Sequence, residues 1–156
     1  MTSIDETIFT YGRYRDTWGL MGMYGRGILI VGNEDYFIKQ QKEKEKRTAA
    51  RFTLSLSSEE EERIKQFYTA LIHSGMEEEV CDGGSENERH VYSFPAGHKY
   101  HEYNITLKNC TTLVVDALKW SLGNRFPPVL NGVFVPSELF NILNNSRSIV
   151  LRKDIQ

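Results

Sequence analysis

The sequence predicts an α+β domain, a mainly antiparallel sheet packed by helices. Three stretches predict it. RFTLSL (Arg51 to Leu56) alternates, with Phe52, Leu54 and Leu56 on one face, the period of a half-buried strand. Ser57-x-x-Glu60 and Ser58-x-x-Glu61 follow at once with capping-box spacing, and Ile64, Phe67, Tyr68, Leu71 and Ile72 then recur on one helical face. The same change of period returns in YNITLKNCTTLVVDALKWSL (Tyr103 to Leu122). There Ile105 sits in a β-leaning run, Asn109 interrupts it, and Cys110, Leu113, Val114, Ala117 and Leu118 fall on one helical face.

The other elements follow in order. Ile8 to Tyr14 reads as a strand, with Phe9, Tyr11 and Arg13 on one side and Ile8, Thr10, Gly12 and Tyr14 on the other. The glycine-rich connection TWGLMGMYGRG carries Trp18, Leu20, Met21 and Met23. It has no Lys-Ser or Lys-Thr and opens no helix, so it does not match a phosphate-cradling loop. GILIV (Gly27 to Val31) is a short apolar run and predicts a buried strand. Asn33 caps a helix running to about Lys44 with Phe37 and Ile38 inward, and KQQKEKEKR forms its solvated face.

In the Ser57 helix the glutamates load the positive end of the dipole, His73 suits the last turn and Gly75 closes it. That electrostatic role accounts for the glutamates, so no metal site is predicted. Met76 to Arg89 reads as an exposed loop holding Cys81, where Glu77, Glu78, Glu79 and Asp82 oppose a thiolate. HVYSF (His90 to Phe94) is a short strand ended by Pro95, and Gly97 to Tyr103 carries His98 and His101 among polar residues. Past Leu122, Gly123-Asn124, Pro127-Pro128 and Asn131-Gly132 mark turns. Pro136 begins a helix with Leu139, Phe140, Ile142 and Leu143 inward, and Ser148 to Leu151 adds an edge strand.

The 156 residues fit one domain, 1–156. A net charge of −2 with both signs interspersed leaves no electrostatic footprint for nucleic acid. No apolar run approaches the ~20 residues of a membrane span. MTSIDETIFT lacks the basic and apolar regions of a secretory signal, which predicts synthesis in the cytoplasm without a signal peptide. No motif calls for a cofactor. Two cysteines make no disulfide scaffold; a Cys81–Cys110 bridge stays open, and in a reducing compartment both thiols are free.

Asn109 as N-cap places Cys110 in the first helical turn, where free N–H groups and the dipole favour an anion. Two readings of Cys110 follow: a nucleophile presented at a helix mouth, or a small buried hydrophobe on an apolar face.

YNITLKNCTTLVVDAL resembles the Tyr-x-x-x-x-x-Asn-Cys segment of circularly permuted papain-fold proteins, the NlpC-like superfamily that includes the lecithin:retinol acyltransferase-like group. Its Asn-Cys-Thr-Thr form is similar to bacterial members, including domains attached to type VI secretion and Rhs-type toxins. IFTYGRY, the glycine-rich stretch, GRGILIV and RFTLSLSSEEEERI resemble the opening and middle of those domains, so the likeness runs from about Ile8 to Leu143.

The resemblance implies that Cys110 attacks an amide or ester carbonyl, giving an acyl-enzyme that water or another acceptor resolves. It implies an oxyanion site from the Cys110 backbone N–H with a donor from Asn109 or Tyr103. Tyr11 and Arg13 either line the cleft or pack on a strand face. The implied activity is a thiol hydrolase cleaving amide bonds, an antibacterial effector acting on peptide-like or cell-wall substrate. A secretion system would deliver it to a target cell, and an immunity protein would plug the cleft. The alternatives are a papain-fold binding module without a competent base, and a lipid acyltransferase or lipase using the same thiol.

One feature of the family is missing. The resemblance places the catalytic histidine on a strand just before IFTYGRY, and Met1 to Thr7 contain none. The chain then starts beyond that strand, draws its base from elsewhere, or is inactive. His101, nine residues before Cys110, is the substitute base, with His98 behind it.

Overall fold

A computed structural model describes residues 2–13, 24–35, 38–39, 50–78, 89–146 and 149–155. The strands are β1 (Thr2–Ile4), β2 (Thr7–Arg13), β3 (Tyr24–Asn33), β4 (Ala50–Leu54), β5 (Met76–Glu78), β6 (Arg89–Ser93), β7 (Glu102–Asn104) and β8 (Val150–Ile155). Three helices are described in full: α1 (Ser58–Ser74), α2 (Cys110–Leu122) and α3 (Pro136–Asn145). Helices and an antiparallel sheet together make an α+β fold, as the alternation of periods predicts.

The sheet runs β1-β2-β3-β6-β5, with β7 pairing the start of β3, and every one of these pairings is antiparallel. A two-residue turn joins β1 to β2. Asp5 and Glu6 there have φ of 48° and 64°, the doubly positive geometry of a type I′ hairpin. A separate two-stranded ribbon pairs β4 with β8.

Several strands differ from the sequence reading. β3 reaches beyond GILIV because Tyr24, Gly25 and Arg26 pair with Asn104, Tyr103 and Glu102. Met76 to Glu78, read as loop, is strand β5, since its backbone pairs with Val91 to Ser93. The β-leaning run near Ile105 is displaced: Glu102 to Asn104 form the strand, and Ile105 and Leu107 are exposed in the turn that follows. Three-residue strands are too short to show a side-chain period, so only backbone pairing defines them. Asn33 Oδ1 accepts from Asp35 N at 2.9 Å as a cap would, and Glu34, Asp35, Ile38 and Lys39 are helical. Phe37, the charged run after Lys39, the glycine-rich connection before Tyr24 and Cys81 lie outside the described residues.

Helix α2 separates two cores. Leu113 and Ala117 pack with Phe9, Tyr11, Leu29 and Val31 of the sheet and with Ile64, Tyr68 and Leu71 of α1. Val115, Leu118 and Leu122 face Leu130, Val133, Leu143 and Ile149, with Phe52 and Leu54 of the ribbon against them. The helix is therefore apolar over more of its circumference than the Cys110–Leu118 stripe alone indicates.

A buried carboxylate locks α1 to the end of α2. Glu60, the third residue of α1, completes the capping box by accepting from Ser57 N at 2.8 Å. Its Oε2 also takes Arg125 Nη1 at 2.6 Å, while Ser121 Oγ donates to the Glu60 backbone carbonyl at 2.6 Å. Glu60→Ala removes the box and a charge-assisted bond, at a cost of about 1–3 kcal/mol. Glu60→Gln, which keeps an acceptor for Ser57, should lose about half as much. Urea unfolding of both variants checks the order.

Candidate active site at the start of α2

The turn before α2 is closed by its own side chains. Asn104 Oδ1 accepts from Thr106 N and Thr106 Oγ1, and Asn104 N donates to Lys108 O at 2.9 Å. Asn109 then caps the helix as the sequence predicts, in extended backbone with φ −136°. Its Oδ1 accepts from Thr111 N at 2.8 Å and Thr112 N at 3.3 Å. Its backbone N donates to Thr112 Oγ1 at 2.8 Å, so a threonine fills the place of the usual glutamate in the box.

The amide nitrogen of Asn109 is also engaged. Nδ2 donates to Ile105 O at 2.6 Å and to Phe134 O at 2.7 Å, binding the turn before α2 to the turn before α3. With two bonds accepted and two donated, the side chain has spent its capacity on the fold. The cap takes the amides of Thr111 and Thr112 and leaves that of Cys110 to other partners.

Cys110 is half-buried and is not in a disulfide. It lines a cavity of about 570 Å³. The walls come from β1 (Ile4), from β4 (Phe52, Leu54), from α1 (Ile64), from α2 (Val114, Leu118) and from α3 (Leu139, Leu143). Polar groups gather at one part of the wall. Glu34 is buried there, accepts from Ser3 Oγ and pairs with Arg51. The cavity lies between the β1 end of the sheet and the β4–β8 ribbon, so no single stretch of sequence encodes it.

The remaining candidate residues lie elsewhere. His101 Nδ1 donates to Phe94 O at 2.6 Å, and its backbone carbonyl accepts from Gly27 N at 2.8 Å. None of the four histidines is among the described residues that line the cavity, so the structure does not bring His101 or His98 to Cys110 there. Tyr103 pairs with Gly25 through its backbone and packs its ring 5.7 Å from that of Tyr11. It does not line the cavity either.

Tyr11 has a structural role that its strand-face position only partly shows. Its hydroxyl donates to Tyr100 O at 3.0 Å and Glu102 O at 2.9 Å, tying β2 to the chain that leads into β7. Burial, more than the neighbouring Tyr103 and Glu102, pushes its pKa up, so it stays a donor. The side chain of Arg13 lies outside the described ones.

Comparison with known proteins adds no family. No family model matches the chain, and no curated protein or solved structure matches it at a significant level. Among the described residues no group of three or more His, Cys, Asp or Glu side chains is placed to hold a metal ion. Nor is any described helix long and apolar enough to cross a membrane.

Sequence reasoning missed Ser3, Glu34 and Arg51 as one cluster. Glu34 carried a weak signal as an acidic residue directly after the Asn33 cap, but nothing local indicated Arg51 as its partner.

Proposed function

We propose that this chain is a permuted papain-type thiol hydrolase acting on amide bonds, with Cys110 as the nucleophile. The observation that carries the reading is the position of Cys110: first residue of a capped 13-residue helix, on the wall of a 570 Å³ cavity. A helix mouth supports negative charge on sulfur and on a developing oxyanion alike. The sulfur attacks the carbonyl carbon, and the C–N bond breaks as the leaving amine takes a proton. Water then adds to the thioester, releasing the acid and restoring the thiol. The Cys110 amide, which the Asn109 cap does not use, is the oxyanion donor in this scheme; the amide of Asn109 is occupied. The base comes from outside the described cavity wall, since no histidine stands on it. The effector role, delivery by a secretion system and an immunity partner belong to the same reading and follow from the Asn-Cys-Thr-Thr resemblance.

A second reading has its own support. The wall contributed by Ile4, Leu54, Ile64, Leu118, Leu139 and Leu143 is aliphatic, which suits a lipid ester better than a sugar-linked peptide. One experiment separates the readings. The protein is incubated with peptidoglycan fragments and, in parallel, with phospholipid vesicles, with and without added imidazole. Intact-mass spectrometry then follows adducts on Cys110 while product analysis follows turnover. An acyl adduct from peptidoglycan, absent in Cys110→Ala, supports the amidase, and one from phospholipid supports the lipid enzyme. Neither adduct, even with imidazole present, would leave only a binding module. Cys110→Ala should stay within about 1 kcal/mol of the native stability, because the side chain is small and half-buried.

A further inference from the structure

The loop between β6 and β7 is held by a histidine whose two ring nitrogens have opposite roles. The backbone N–H of Tyr100 donates to His98 Nδ1 at 3.2 Å, which makes that nitrogen a lone-pair acceptor. Nε2 therefore carries the ring proton and donates to Ser74 Oγ at 3.2 Å. The Ser74 hydroxyl in turn donates to Leu71 O at 2.8 Å, so the two bonds at Ser74 are mutually consistent. The ring also stacks on Phe94, centroids 4.5 Å apart and planes 10° apart. Ser74 and His98 are accordingly not a nucleophile and its base, which would need the lone pair on Nε2.

The same loop is a junction of the fold. Tyr100 O and Glu102 O accept from Tyr11 of β2, and Tyr100 Oη donates to Asp116 of α2 at 2.5 Å. Gly27 N of β3 donates to His101 O. Whatever loosens Tyr100 therefore loosens the approach to β7 and to the turn that precedes Cys110.

We propose that His98 is an acid-sensitive clamp, whose protonation breaks its bond to the Tyr100 amide and loosens Tyr100 within the loop, while the Nε2 bond to Ser74 on α1 persists. An added proton can go only to Nδ1, where it faces the Tyr100 N–H, donor against donor. The groups around the ring do not offset that loss. His101 on the same loop acts on it with the same sign of charge. The Asp116 carboxylate already holds Lys99 Nζ at 2.6 Å and the Tyr100 hydroxyl. On α1 the ring meets the neutral Ser74 hydroxyl, and just after β6 it meets Phe94. Among the described residues no carboxylate bonds the ring.

Burial first, and His101 second, lower the His98 pKa from its ordinary 6.5. With the folded value below the unfolded one, the unfolded chain takes the proton first. The clamp's contribution is present above pH 6.5 and is lost as pH falls from there through the folded value.

Nuclear magnetic resonance on the native protein tests this. The expected result is a His98 ring midpoint below 6.5, with exchange of the Tyr100 amide, relative to its intrinsic rate, rising by up to about tenfold for each pH unit below that midpoint. His98→Asn supplies Oδ1 in place of Nδ1 and does not titrate, so its melting temperature should drop less than the native one between pH 7.5 and pH 5. A midpoint at or above 6.5, with Tyr100 protection unchanged down to pH 5, overturns the proposal. An equal acid-induced drop in His98→Asn overturns it as well. None of these readouts depends on the thiol.

Discussion

Gly27→Ala should unfold at far lower urea than the native protein, with a loss of about 3–5 kcal/mol. Gly27 lies in β3, and a Cβ there would sit 2.2 Å from Tyr11 Oη and 2.4 Å from the Tyr100 carbonyl oxygen. The carbonyl is backbone and cannot swing away. Tyr11 could, but only by giving up its bonds to Tyr100 O and Glu102 O inside the sheet's core. Overpacking of this kind costs roughly 1–3 kcal/mol, and each lost hydrogen bond adds about 1 kcal/mol. Gly12, one strand away in β2, is the control. Among the described residues nothing lies within 4 Å of its added Cβ, so Gly12→Ala should be neutral or gain up to about 1 kcal/mol. Equal effects at the two glycines would refute the steric argument, because composition and strand context are otherwise alike.

The second large effect is expected at Asn109. Asn109→Ala should cost about 2–4 kcal/mol, combining the loss of an N-cap with one buried and three part-buried backbone groups left without this partner. The side chain is 3% exposed, and its four bonds reach Thr111, Thr112, Ile105 and Phe134. Asn109→Ser keeps an oxygen for the first-turn amides but cannot tie the two turns, so it should lose roughly half as much. Hydrogen exchange separates the two contributions. In Asn109→Ala the Thr111 and Thr112 amides should lose protection, whereas in Asn109→Ser they should keep it while overall stability falls. Loss of protection in both variants would mean that the link between Ile105 and Phe134, rather than the cap, holds the helix start.

These two sites show what could be read in advance. Asn109 as a cap, Cys110 as the first helical residue and the Ser57–Glu60 box were all legible, because a cap and the turn it satisfies lie within four residues of each other. The amphipathic stripe of α1 was equally plain, since Ile64, Tyr68 and Leu71 bury the face their spacing defines. Gly27 carried no such signal. It looked like one more member of a glycine-rich run, and its necessity appears only when Tyr11 and Tyr100, 16 residues before it and 73 after it, meet above it.

Histidine placement was illegible for the same reason. His101 is near Cys110 in sequence, yet Gly27 and Phe94 hold its backbone and ring in the β6–β7 loop rather than at the cavity. Short strands behave alike: β5 and β7 exist because partners across the sheet accept and donate, not because three residues prefer extension.

By itself the sequence determined the α+β class, the helix that begins at Cys110 and the cap that opens it, all of them products of local periodicity and local hydrogen bonding. Tertiary structure alone decided that Asn109 spends both ends of its amide on the fold, that α2 has a core on either side, and that an aliphatic cavity opens beside the thiol with no histidine on its described wall. Cavities and long-range partners arise where distant segments fail or manage to fill the space between them, and that depends on packing across the whole chain, not on any one stretch.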